Sequence, residues 1–274
     1  MALIAIGQQL GSRGLILGQL AAEKLGYRCI NSTEVLASAA QRYHVTPEHL
    51  QLVDERTPHF WERLRTDAVK LYAYYGAMLL TELTVDRTVV VGRSTPLFLP
   101  QGAAHVLRVR TVAPLDDRCR QVAIDEKLEP AAAARRVRDY GHEVRTRLQT
   151  MLNADVDEPS IYDLVLNTAA MPMATLAEVL AASAQIAERA ASAESWTKVR
   201  DAAITAQVRA ALFAHPKIGH APISVATTNG VVRLDSSALV PPWDELAEKV
   251  AREVEGVVSV ELDIEEPPIP PRAA

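Results

Sequence analysis

The stretch Ala2-Leu3-Ile4-Ala5-Ile6-Gly7-Gln8-Gln9-Leu10-Gly11-Ser12-Arg13-Gly14 runs a short apolar strand into a glycine-bearing loop. Leu17, Leu20, Ala21 and Leu25 then recur at spacings of three and four, the period of an amphipathic helix. A strand, a glycine loop and a helix N-terminus in that order make a phosphate cradle. Backbone N–H groups converge, the helix dipole favours negative charge, and glycine lets the chain come close. A P-loop adds a lysine for the β/γ-phosphates and a Ser/Thr for magnesium. Here Gly14 and Leu15 stand in those places. Whether the chain is an enzyme or a descendant of one depends on that difference.

Working outward, strand-like runs alternate with helical patterns. Arg28-Cys29-Ile30 is followed by helical sequence from about Thr33 to Tyr43, a helix start at Thr46-Pro47-Glu48 and a longer helical stretch from about Pro58 to Leu83. Thr88-Val89-Val90-Val91 reads as a buried strand, Val106 to Val112 as another, and Asp163 to Asn167 as a third. Strands separated by helices predict an α/β fold with a parallel, doubly wound sheet. The alanine-rich run from Leu176 to Ala193 reads as one helix closing this unit.

After Ser195 the pattern changes. Ile204, Val208, Ala211 and Leu212 form a helical stripe, and two strand-like runs, Ile223–Thr227 and Val231–Leu234, flank Asn229-Gly230. Asn-Gly between apolar runs signals a tight hairpin, because both turn positions need positive φ. A helix through Leu246, Val250 and Val254 and a strand from Val257 to Ile264 complete a small α-β-β-α-β module. The expected division is residues 1–193, residues 196–266 and a proline-rich tail, 267–274.

The 274 residues are 49% hydrophobic but only 5% aromatic, so alanine and branched aliphatics must fill the core. A formal net charge of −5 argues against a general nucleic-acid binder. The two cysteines, Cys29 and Cys119, lie far apart and read as a reduced pair. No stretch approaches the roughly 20 apolar residues that span a bilayer, and no basic leader opens the chain, so a soluble, cytoplasmic protein is expected.

The first unit resembles the cytidylate kinase-like family, a branch of the P-loop nucleoside monophosphate kinases. The carriers are Gly11-Ser12-Arg13-Gly14, Leu20 to Gly26, Asp54-Glu55, Val90-Val91-Gly92-Arg93, Ala113-Pro114-Leu115 with Arg118, and Tyr162 to Thr168. The second unit resembles the BON domain, carried by Asp201 with Ile204, Val208 and Leu212, then Val225 through Leu234, and Gly256-Val257 with Val260. Ser236 or Ser237 departs from that pattern, which commonly has glycine after the second strand. The resemblance implies a P-loop kinase-like sheet followed by an α+β module. It implies ATP or another nucleotide as cofactor, a nucleotide or other phosphorylated small molecule as partner, and a protein or membrane-surface partner for the BON-like unit.

Against that family several groups are changed. Aligning Gly11-Ser12 with the glycine-serine step of active kinases puts Arg13 at a glycine, Gly14 at the lysine and Leu15 at the magnesium-binding hydroxyl. Gly92-Arg93 is followed by Ser94 instead of an acid, and Asn31-Ser32 stands where relatives carry an aspartate. The later aspartate and arginine of the lid segment become Gly141 and Val144. Candidate phosphate-binding residues are Gly11, Ser12, Arg13, Gly14, Arg93, Arg135 and Arg136, the last two in an arginine-rich lid segment that Arg138, Arg145 and Arg147 extend. Arg13 is the candidate catalytic cation, a guanidinium in place of the lysine. Magnesium has lost its usual ligands, and the histidines show no metal-ligand spacing.

Three readings follow: a degenerate kinase unit that retains a nucleotide or phosphate site in a regulatory or scaffolding protein, a working (d)CMP kinase that uses Arg13, or a ligand- or membrane-binding BON module on a kinase-fold platform. Each missing catalytic group could cost on the order of 2–4 kcal/mol of transition-state stabilisation.

Overall fold

The computed structural model describes residues 1–46, 65–236 and 241–263. Five parallel strands form the main sheet: β1 (Leu3–Gln8), β2 (Arg28–Asn31), β3 (Thr88–Val91), β4 (Val106–Val112) and β5 (Leu164–Asn167). Their order is β2-β3-β1-β4-β5, with Leu3 opposite both Thr88 and Val106. The helices of this unit are α1 (Gly14–Leu25), α2 (Ser32–Tyr43), α3 (Arg65–Glu82), α4 (Leu115–Asp125), α5 (Pro130–Leu152) and α6 (Met173–Arg189).

The central strand β1 explains the layering. Side chains alternate across a strand, so a strand covered on both faces must be apolar throughout. Leu3 and Ala5 enter one core with Val90, α2 and α3. Ile4 and Ile6 enter the other with Val89, Val91, α1 and α6. Loops that leave the C-terminal ends of β1, β3 and β4 therefore emerge together at one edge, where open α/β sheets place ligands.

The expected single helix from Leu176 to Ala193 is divided. α6 ends at Arg189, and Ser192 caps a new helix, α7 (Ala193–Ala214), by accepting the Ser195 N–H at 3.1 Å. A serine offering its own acceptor to a helix start outcompetes continuation of the alanine run. The expected division between residues 193 and 196 thus falls in the first turn of α7. This helix belongs to two cores. Val199, Ala203 and Ala210 lie in the core shared with α3, joined there by Trp196, Ala206 and Phe213. Ile204, Val208 and Leu212 face the second sheet. Gln207 Nε2 also donates to Thr81 Oγ1 on α3 at 2.9 Å.

The second sheet has β6 (Ser224–Thr228) antiparallel to β7 (Val231–Asp235), with β8 (Ser259–Asp263) parallel to β7 on its other side. With α7 before it and α8 (Trp243–Arg252) between β7 and β8, the module is α-β-β-α-β as expected. The hairpin turn has φ 51° at Asn229 and 78° at Gly230. Both turn N–H groups donate to the Asp201 carboxylate on α7, at 2.8 and 2.9 Å. Charge-assisted bonds of this kind are worth about 1.5–3 kcal/mol. Asp201→Ala is expected to cost about 2 kcal/mol in urea unfolding, and a loss below ~0.5 kcal/mol would mean that the turn holds itself.

Thr46-Pro47-Glu48 beyond Thr46, the pair Asp54-Glu55, the segment before Arg65, Ser237 and the tail lie outside the described residues. Cys29 and Cys119 are both free thiols. Among the described residues no helix is long and apolar enough to cross a membrane.

Candidate functional site

The loop between β1 and α1 is knitted to its surroundings. Ser12 N–H donates to Gln9 carbonyl at 3.0 Å, and Gln9 N–H donates to Thr111 carbonyl at 3.1 Å. The Ser12 hydroxyl is fully buried, donating to Gln9 carbonyl at 2.8 Å and lying 2.9 Å from Thr111 Oγ1. Gly11 has φ +80°, and a Cβ there would stand 2.5 Å from the Arg118 carbonyl, so the loop lies directly against α4. At Gly14 a Cβ would meet Thr111 Oγ1 at 2.6 Å and the Gln8 side chain at 2.8 Å. Gln8 Oε1 in turn accepts the Leu15 N–H at 3.1 Å. A helix N–H that a phosphate oxygen would take is held by the chain's own amide.

Arg13 opens α1 in a left-handed conformation, φ 57°, and its Nη2 donates to the Thr168 carbonyl at 3.1 Å, after β5. It does not line the cleft described below. Asn31 is an N-cap: its Oδ1 accepts from Thr33 N–H and Glu34 N–H at 2.9 and 3.1 Å, while Glu34 Oε2 accepts the Asn31 N–H at 2.7 Å. This capping box commits the Asn31 side-chain oxygen to the start of α2.

Beside the loop opens a cleft of about 370 Å³. Its lining brings Gln8, Gln9 and Leu10 of the loop together with Arg93 after β3, Arg110 of β4, Arg118 of α4, Arg138 and Arg145 of α5, and Asp157. Arg110 Nη2 pairs with Asp157 Oδ1 at 3.0 Å and Arg145 Nη1 with Asp157 Oδ2 at 3.1 Å. The Arg93 guanidinium lies 4.2 Å from the Tyr140 ring centroid, and Arg136 lies 5.1 Å from the same ring. Both guanidinium groups are within the reach of a cation–π attraction to Tyr140. Arg118 Nε donates to Ala113 carbonyl at 3.0 Å, and burial pulls its pKa below the usual guanidinium value, with Arg110 and Arg145 adding to the depression.

Of the candidate phosphate-binding residues expected from sequence, Arg93 lines the cleft, whereas Gly11, Ser12 and Gly14 lie in the adjoining loop outside its lining. Arg136 pairs with Glu126 at 3.3 Å on the α4–α5 side, and Arg135 is exposed. Sequence reasoning left out Gln8, Arg110, Tyr140 and Asp157. Arg108 and Arg110 at alternate positions of a central strand were the available signal, since buried guanidinium groups require polar company. A smaller cavity beyond Arg93 is lined by Tyr72, Tyr75 and Arg147. Tyr74 faces elsewhere, stacked on Tyr43 at 4.1 Å.

Leu15 has no hydroxyl to offer, the Ser12 hydroxyl is committed to Gln9 and Thr111, and the carboxylate lining the cleft is held by two arginines. The described residues do not fit a magnesium ion carried on phosphates.

A profile of the cytidylate kinase-like family matches residues 3–170. The chain belongs to the cytidylate kinase-like family. A BON domain profile matches residues 200–235, within the hairpin module. No curated protein matches the chain. The crystal structure of an uncharacterized protein from Eubacterium ventriosum is similar with TM-score 0.52 and 12% identity, covering 68% of this chain and 99% of that one. Shikimate kinase from Bacteroides thetaiotaomicron aligns with TM-score 0.45 and 14% identity over 67% of this chain and 98% of its own. Among these, the first supports a shared fold. The chain is thus a cytidylate kinase-like unit joined to a BON domain.

Proposed function

We propose that the cytidylate kinase-like unit, residues 1–193, binds a nucleotide or other phosphorylated small molecule in its arginine-lined cleft, with phosphoryl transfer weak or absent. The BON-like unit, residues 196–266, couples this site to a protein or membrane-surface partner, so the chain works as a cytoplasmic regulator or scaffold. The observation that carries the reading is the Gln8 side chain on the Leu15 N–H, which takes up one of the N–H groups that the start of α1 would offer a phosphate. Five guanidinium groups lining one cleft supply the attraction for phosphate that the loop no longer offers. ATP, CMP or a related nucleotide is the ligand class that the family supports.

Titration with ATP and with CMP, each with and without magnesium, followed by a phosphotransfer assay, tests this. Expected is nucleotide binding that magnesium leaves within twofold and no turnover. Arg13→Ala is expected to leave affinity unchanged, because its guanidinium is turned to the Thr168 carbonyl. Magnesium-dependent turnover lost in Arg13→Ala would establish the alternative, an active (d)CMP kinase using Arg13 as its cation. Absence of any nucleotide binding would move the function to the BON-like unit.

A further inference from the structure

Arg110 projects from the middle of the sheet with only 6% of its surface exposed, and a buried guanidinium requires a counterion. It finds one in Asp157, but Asp157 gives its second oxygen to Arg145. One carboxylate therefore serves two guanidinium groups. Arg93, Arg118 and Arg138 line the same cleft, and among the described lining residues no other acid joins Asp157. Arg110 Nε is buried with no hydrogen-bond partner.

We propose that Asp157 is an internal stand-in for the ligand, and that the cleft is a metal-free site for a phosphate dianion, free or as a monoester, whose oxygens take Arg110 and Arg145 from Asp157. This rests on the reading that the cleft binds phosphate. A carboxylate spanning two guanidinium groups occupies the place of two phosphate oxygens. A phosphate brings about twice the charge and a third acceptor oxygen, which is within the chemistry of Arg118 beside it.

The exchange leaves no stranded charge. The neighbouring Val156 is buried, and its carbonyl accepts the Tyr162 hydroxyl at 2.7 Å, so the backbone under Asp157 is fixed. The Asp157 side chain is 37% exposed and can turn into water once displaced. Before the exchange, the two arginines hold the carboxylate that magnesium would need. A ligand that arrives with its charge uncompensated is favoured over one wrapped around a divalent cation.

Isothermal titration of the full chain and of Asp157→Asn with inorganic phosphate and with CMP decides the matter. The variant is expected to bind inorganic phosphate at least tenfold more tightly than wild type, with no change on adding magnesium. CMP binding tighter than phosphate identifies the ester as the ligand, and equal affinities identify free phosphate. If wild type binds CMP while Asp157→Asn binds no more tightly, the stand-in role is overturned and the cleft reading survives. If neither ligand binds either protein, both fall. Asp157→Asn leaves Arg110 without its counterion, and phosphate-dependent refolding of an unstable variant would support the proposal. In wild type the Asp157 carboxyl ¹³C resonance is expected to move on saturation with phosphate; a resonance that stays in place overturns the proposal whatever the variant does.

Discussion

Gly14→Lys, which puts back the lysine of an active P-loop, is expected to lower stability and produce no phosphoryl transfer. A Cβ at this position meets Thr111 Oγ1 at 2.6 Å and Gln8 Cβ at 2.8 Å, before any lysine stem is added. Overpacking of this kind costs about 1–3 kcal/mol. Displacing Gln8 also removes the acceptor of the Leu15 N–H, a cap worth about 1 kcal/mol. Together these lower the melting temperature by roughly 5–12 °C for a chain of this size. Thermal unfolding and a coupled phosphotransfer assay check both halves. A variant that melts with wild type and turns over CMP would show that the loop opens at little cost, and the reading of a loop closed by Gln8 would fail.

Acidification is expected to loosen the seam where α7 meets the sheet. His105, just before β4, is fully buried, its Nδ1 in contact with Ser195 Oγ and its ring 4.2 Å from Trp196. Burial pushes its pKa down to about 4 from 6.5, with the N-terminal ammonium adding to the shift and Asp86 opposing it. Nε2 has no hydrogen-bond partner, so a second proton would be placed where nothing accepts it. The folded state therefore takes up a proton less readily than the unfolded chain. Stability is at its full value above about pH 6.5 and falls as pH drops toward about 4. Converted at 1.36 kcal/mol per unit, the loss is about 3 kcal/mol. Urea unfolding between pH 7.5 and 4.5 should show this slope in wild type and a flatter one in His105→Gln. Parallel slopes would assign the acid sensitivity to carboxylates elsewhere.

The architecture was largely legible from residue order. Leu3 and Ala5 against Ile4 and Ile6, the valines of β3 and the Asn229-Gly230 turn are local patterns, and each has one low-energy solution. The break at Ser192 was not read, because an alanine-rich run signals helix on both sides of a cap and only the serine marks the boundary. The cleft was harder. Helical phase does not single out Arg138 and Arg145, because Arg135 lies three residues before Arg138 on the same exposed face of α5 yet stays outside the cleft. The Arg110–Asp157 pair joins residues 47 apart through the fold and carries no local signature. Gln8 lies seven residues before Leu15, yet nothing in glutamine's character announces that its amide will cap the helix beyond its own loop.

The two-faced helix α7 has a consequence for how the molecule could be taken apart. Shuffling of domains works when a linker can be cut and each half keeps its own interior. Here a cut between α6 and α7 hands the whole helix to the BON-like half, and strips α3 of the wall formed by Val199, Ala203 and Ala210. A cut after the helix opens the other interior, at Ile204, Val208 and Leu212. The joint behaves as a keystone: two arches rest on one stone, and their mutual bearing is set by its two dressed faces.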